Sequence, residues 1–265
     1  MSSNESVSTE QTEKLKEFDA VLRRLRKDCP WDRKQTWESL RTNTIEEVFE
    51  LAQAIEDNDL ADVRKELGDV FLHVAFYSLI AEEKGQFSFA DVLDSLTRKL
   101  IFRHPHVYGT QKADTADEVL SEWEKIKLRE KDGNHTVLGG VARALPALIK
   151  AYRIQQKVKG VGFDWKEPSQ VWDKVSEEMS EFTDEVQSKD ADRMEAEMGD
   201  LIFAVVNLAR VYNINPENAL ERTNRKFTNR FNYIEQKAKE AGRQLQDMTL
   251  EEMDALWDEA KQIYR

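Results

Sequence analysis

Glutamates and aspartates at helical spacing are the residues of this chain best placed to do chemistry. Glu178 and Glu181 lie three apart, as do Glu197 and Asp200, and Glu177 adjoins the first pair. Residues three apart share one face of an α-helix, so two such helices packed side by side bring four carboxylates together. The set is written twice. Adding 131 to Glu46, Glu47, Glu50, Glu66 and Asp69 lands on Glu177, Glu178, Glu181, Glu197 and Asp200. Gly68 and Gly199 align at the same offset, and apolar residues follow each aspartate, Val70-Phe71-Leu72 and Leu201-Ile202-Phe203.

Two carboxylates about 4 Å apart repel by roughly 4 kcal/mol at an effective dielectric of about 20, so such a cluster needs a cation or a shifted protonation. With no cysteine nearby and no histidine inside either pair, the set suits a hard divalent ion, Mg²⁺ with Mn²⁺ as a substitute, ahead of zinc or copper. The expected ligands are Glu178, Glu181, Glu197 and Asp200, with Glu47, Glu50, Glu66 and Asp69 as a second, N-terminal set. An ion held this way completes its shell with water and phosphate oxygens. Acids make up 51 of 265 residues, so a lone Glu-x-x-Glu is ordinarily a solvated helix face. The constant offset argues against that here, and so do the apolar runs after Asp69 and Asp200, where an unpaired charge would be costly.

Helices must position these acids. Leu15, Phe18, Val21, Leu22 and Leu25 predict a first helix from Thr12 that stops near Cys29-Pro30, because the residue before proline avoids helical angles. Thr42 or Asn43 is expected to cap the next helix, with Glu46 at capping-box distance from Asn43. A polar turn at Asp57 to Asp59 opens a long helix to about Lys84, and another spans Phe89 to Phe102. Period-two alternation is scarce, so the fold class is all-α, with two tandem four-helix domains. The boundaries read as a disordered stretch at 1–11, a first domain at 12–110, a helical linker or hinge at 111–142, and a second, catalytic domain at 143–265. The linker holds an expected helix, Ala116 to Glu130, and a hinge, KDGNHTVLGG. His104 and His106 are read as structural, and His73, whose counterpart is Ala204, as outside the shared machinery.

The duplicated Glu-Glu-x-x-Glu and Glu-x-x-Asp pattern occurs together with CPWD at Cys29 to Asp32, RHPHVYG at Arg103 to Gly109 and VGFDW at Val161 to Trp165. In this combination the chain resembles the MazG family of two-domain nucleoside triphosphate pyrophosphohydrolases, from about Leu22 to its end. The resemblance implies hydrolysis of the bond between the α- and β-phosphates of NTPs and dNTPs, giving a monophosphate and pyrophosphate, with broad specificity and a housekeeping role in nucleotide pools. It also implies a homodimer and a catalytic C-terminal copy. Lys226 and Arg230 match the family's phosphate-contacting Lys-x-x-x-Arg element; Lys99 and Arg103 repeat that spacing in the first half. By resemblance Trp257 would cover the nucleotide, and Lys174 and Arg193 would join Glu177, Glu178 and Asp200 in contacting substrate. Glu177, turned about 100° from Glu178 around the helix, is the candidate for orienting the attacking water.

A net charge of −12 argues against stable nucleic-acid binding, which depends on a basic footprint. It does not argue against a metal-bridged nucleotide. The N-terminus lacks a basic start or apolar run and no stretch of eighteen apolar residues exists, so neither a signal peptide nor a membrane anchor is expected, and the chain reads as cytoplasmic. The single Cys29 excludes an internal disulfide. Two other function classes stand as alternatives. A di-iron bundle expects Glu-x-x-His where this chain has Glu-x-x-Asp; a non-enzymatic acidic interaction module would release no pyrophosphate.

Overall fold

A computed structural model of the chain describes residues 2–110, 115, 118, 119, 123, 126 and 136–264. Among these residues every regular element is helical. The chain divides into two compact units, residues 1–112 and 113–265. The helix expected at Ala116 to Glu130, apart from residues 118, 119, 123 and 126, and the hinge residues 131–135 lie outside the described residues.

Unit 1 contains α1 (Ser2–Asp28), α2 (Trp37–Asp57), α3 (Leu60–Glu83), α4 (Phe89–Arg103) and the single turn α5 (Pro105–Tyr108). The first helix therefore starts ten residues before Thr12. No proline or glycine precedes Pro30, so nothing in the backbone stops the helix from extending through the polar N-terminal stretch. The second helix also starts earlier than expected. Its cap is Thr36, not Thr42 or Asn43: the Thr36 hydroxyl accepts from the Ser39 amide at 3.2 Å, and the Ser39 hydroxyl accepts from the Thr36 amide at 2.9 Å. This reciprocal pair satisfies two otherwise orphaned donors, while Thr42 and Asn43 sit exposed within the helix.

The core of unit 1 is Leu22, Leu40, Ala75, Phe76, Leu79 and Ile80, with Phe18, Trp37, Leu72 and Tyr77 packed against it. α2 lies along α3. Two ion pairs hold α1 to the end of α3, Arg23 to Glu82 and Arg26 to Glu83, both at 2.8 Å. Arg26 also donates to the carbonyls of Asp32 and Gln35, which fixes the CPWD loop against α1. Trp37 Nε1 donates to the Tyr77 carbonyl, whereas Trp31 is exposed.

Unit 2 contains α6 (Ala147–Lys159), α7 (Pro168–Ser188), α8 (Ala191–Val211), α9 (Pro216–Glu240) and α10 (Leu250–Ile263). α7 packs along α8, α6 crosses α8 and α9, and α10 lies on α9. Val171, Val175, Ala204, Val206, Ile234, Ala238 and Ala260 are buried. The offset of 131 holds for whole elements and carries both bounds of α2 (Trp37–Asp57) onto those of α7 (Pro168–Ser188). The turns match too. Asn58 and Lys189, both left-handed with φ near 55° and 58°, precede the capping aspartates Asp59 and Asp190. The acid pairs of α3 and α8 thus lie mid-helix, where neighbouring turns hold them rigidly.

Candidate metal and nucleotide site

In unit 2 the turn between α7 and α8 folds the two acid pairs against one another. Oxygens of Glu178, Glu197 and Asp200 lie within 4.8 Å of one another, a separation one cation can span. Unit 1 repeats the arrangement with Glu47, Glu66 and Asp69. Of each expected foursome, three acids converge. The fourth, Glu181 or Glu50, is exposed beside them.

The protonation behaviour follows from this crowding. Although Glu181 is exposed, partial loss of water beside its neighbours first, and the Glu178 charge next, raises its carboxyl above the usual range. Burial first, and Asp69 next, does the same for Glu47. Glu66 is 1% exposed; one oxygen pairs with Lys65 and the other, Oε2, has no hydrogen-bond partner. A buried carboxylate oxygen without a donor is costly, and a bound cation relieves that cost. An all-oxygen donor set on rigid helices fits magnesium or manganese. Glu178 is buried as well, and Lys174 reaches it at 2.6 Å and Glu177 at 3.0 Å, so the lysine charge is held well above its ordinary range by these two carboxylates.

The other expected contacts lie elsewhere in unit 2. Arg193 reaches Asp190 at 3.4 Å and Glu185 at 3.8 Å, on the turn between the acid helices. Lys226 and Arg230 share α9, where Arg230 donates twice to the Tyr264 carbonyl and covers the Trp257 ring at 5.6 Å. Trp257 in turn packs on Phe227 with ring centroids 4.9 Å apart. None of Lys226, Arg230 and Trp257 is among the residues lining the cavity beside the acids.

That cavity, of about 270 Å³, has Glu178, Asp200 and Lys174 in its wall, together with Phe163, Asp164 and Trp165 of the VGFDW segment. Asp164 is bound by buried Arg210 through two hydrogen bonds of 2.5 and 3.0 Å, and Arg210 Nε donates to the Asn207 side-chain Oδ1 at 2.9 Å. Sequence reasoning missed this cluster because Asp164 and Arg210 are 46 positions apart with no shared pattern. It also missed a polar trio in unit 1. Buried His73 meets the Thr44 hydroxyl at 2.9 Å, and the same hydroxyl meets Tyr77 Oη at 2.5 Å. Burial lowers the His73 pKa and favours the neutral ring. His104 donates from Nδ1 to the Leu100 carbonyl, and neither His104 nor His106 joins a metal-competent cluster among the described residues.

Comparison with known proteins gives a consistent picture. The sequence model of the MazG nucleotide pyrophosphohydrolase domain matches twice, at residues 35–108 and 166–234. The chain is 41% identical to the nucleoside triphosphate pyrophosphohydrolase/pyrophosphatase MazG of Thermotoga maritima, covering 93% of this chain and 95% of that protein. It is 40% identical to the nucleoside triphosphate pyrophosphohydrolase of Escherichia coli, covering 91% and 94%. It is 47% identical to the uncharacterized protein YabN of Bacillus subtilis, over 94% of this chain and 52% of that one.

Proposed function

The chain belongs to the MazG nucleotide pyrophosphohydrolase family, and on that footing we propose that it hydrolyses nucleoside triphosphates, ribo and deoxy, to the monophosphate and pyrophosphate. The observation that carries the reading is the convergence of Glu178, Glu197 and Asp200 within 4.8 Å beside a cavity of unit 2. In this reading those three acids, with Glu181 beside them, would hold magnesium, or manganese in its place. The bound ion supplies charge neutralisation to the phosphates and a more acidic water. The chain's own residues do the rest. Glu177 accepts a proton from the water that attacks the α-phosphorus, the bond to the bridging oxygen breaks, and pyrophosphate leaves. Lys174, which stands beside Glu178 and Glu177, would contact the phosphates, with Lys226 and Arg230 of α9 as the further cationic contacts.

The same reading makes Glu47, Glu50, Glu66 and Asp69 a second metal site and unit 2 the working copy. Subtracting 131 from cavity residues Ala204, Asn207 and Arg210 gives His73, Phe76 and Leu79, larger or apolar side chains of unit 1. A homodimer and a cytoplasmic location belong to the proposal as well. Exposed Phe49, Leu67 and Val74 on α2 and α3, and Met179, Ile202 and Val205 on α7 and α8, are large apolar residues that a second copy would cover. Among the described residues no helix is long and apolar enough to cross a membrane.

The test is pyrophosphate release from a panel of triphosphates with magnesium. Asp200→Asn and Glu178→Gln should each lower kcat by at least about 100-fold, and Glu47→Ala should leave most of the rate. Full activity in Asp200→Asn would sink the assignment to unit 2.

A further inference from the structure

Gln155, on α6, lines the cavity beside the acids and is 4% exposed. Its amide nitrogen donates to the Phe203 carbonyl at 2.8 Å, while its Oε1 is buried with no hydrogen-bond partner. The orientation is forced: turning the amide over would set oxygen against oxygen and lose the bond to Phe203. A buried acceptor left unmade costs about 1–3 kcal/mol. Such an atom in the wall of a cavity is a site waiting for an N–H donor.

The rest of the wall indicates what carries that donor. Phe163, Trp165 and Phe203 are aromatic and retain exposed surface, as ring-stacking partners do. The wall holds two cationic groups, Arg210, already matched by Asp164, and Lys174, which stands with Glu178 and Glu177 at the acid cluster, so away from the acids the cavity offers no free charge to a phosphate. A volume of about 270 Å³ falls just below the range of about 300–1,000 Å³ usual for drug-sized ligands. It suits one flat heterocycle and not a whole nucleotide. The phosphates would lie outward, toward Glu178 and Asp200.

We infer that this cavity receives the nucleobase of the substrate and that Gln155 Oε1 accepts a hydrogen bond from an N–H on the base edge. Gln155 is then a specificity-determining residue. The inference rests on the triphosphate-hydrolase reading for the identity of the ligand, and on the cavity alone for the role of Gln155.

Adenine carries its only edge N–H groups on the 6-amino nitrogen, which makes a clean comparison possible. The probes are ATP and purine riboside 5′-triphosphate, identical but for that amine, and N6,N6-dimethyl-ATP, which keeps the nitrogen and loses both donors. Wild-type protein should favour ATP over each by roughly tenfold in kcat/KM, the worth of one hydrogen bond to a buried acceptor. Calorimetric binding of the α,β-methylene forms of ATP and purine riboside triphosphate should show the same ratio. In Gln155→Met, close in length but with no comparable acceptor, the ratio should fall toward one with purine riboside triphosphate little affected. Equal handling of all three nucleotides by the wild type would overturn the inference, and this arm needs no variant to fold. A Met variant that loses both substrates equally would make Gln155 a structural residue and overturn it too. Failure of the wild type to cleave any triphosphate would instead count against the hydrolase reading, and the binding ratio would still decide the role of Gln155.

Discussion

Lys174 sits 2.6 Å from Glu178 and 3.0 Å from Glu177, occupying with its ammonium group the charge that a metal would otherwise neutralise. Lysine and cation therefore compete for Glu178, and the lysine can serve a phosphate only after the cation has displaced it. Lys174→Met separates the two roles. The magnesium concentration for half-maximal rate should fall several-fold, because a competitor is gone. The KM for triphosphate should rise by about tenfold, the value of one charge-assisted contact. Steady-state kinetics over a grid of magnesium and nucleotide concentrations reads both, and a variant in which the two constants rise together would show that the lysine only supports the fold. In unit 1 the position corresponding to Lys174 is Asn43, and Lys65 approaches Glu66 instead. The acids themselves were legible in the sequence through their constant offset. Gln155 was not: a single glutamine on an amphipathic helix gives no signal until the Phe203 carbonyl, 48 residues away, is seen to hold its amide.

At the scale of helices, the duplication persists through the caps and turns and then slips. α2 and α7 correspond at an offset of 131, but Lys99 and Arg103 of α4 map onto Lys226 and Arg230 of α9 at an offset of 127, four residues out of register. The slip falls in the turn after α3 and α8, so the acid pairs keep their geometry while the fourth helix is free to vary. Element order and the bounds of α3 were readable from periodicity because Asp59 and Gly85 punctuate it. The start of α2 was not, since Thr36, Thr42 and Asn43 are all plausible caps and only the reciprocal bond with Ser39 selects the first. Gly68 and Gly199 sit between the acids of each pair, inside a helix, where a Cβ would meet nothing within 4 Å. Glycine costs about 0.5–1 kcal/mol relative to alanine in a helix interior. Gly68→Ala and Gly199→Ala should each raise stability by about that amount in urea unfolding. A loss of stability instead would mean that a second copy of the chain packs closely on that face.

For the molecule as a whole, two opposing proton effects meet at the acid clusters. Glu47 and Glu181 hold their protons more tightly than free glutamate, partial desolvation being the leading cause in both and a neighbouring acid, Asp69 or Glu178, the next. A carboxyl whose pKa is raised on folding adds stability that is fully present below the unfolded pKa and is lost as pH rises through the folded value. The metal-free chain is thus relieved by acid at these positions and strained near neutrality. Cation binding runs the other way, since the ligands must be deprotonated. Magnesium at about 100 times its Kd should stabilise each occupied site by about 2.7 kcal/mol near pH 8, and the increment should shrink toward pH 5 from both sides: weaker binding, and a metal-free reference that has gained stability. Thermal unfolding with magnesium or with EDTA, at both pH values, measures it. Asp69→Asn and Asp200→Asn should each remove part of the increment and the double variant all of it, because each substitution takes one charge from one cluster of three. An increment that survived in the double variant, or that grew on acidification, would place the stabilising cation somewhere other than between these helices.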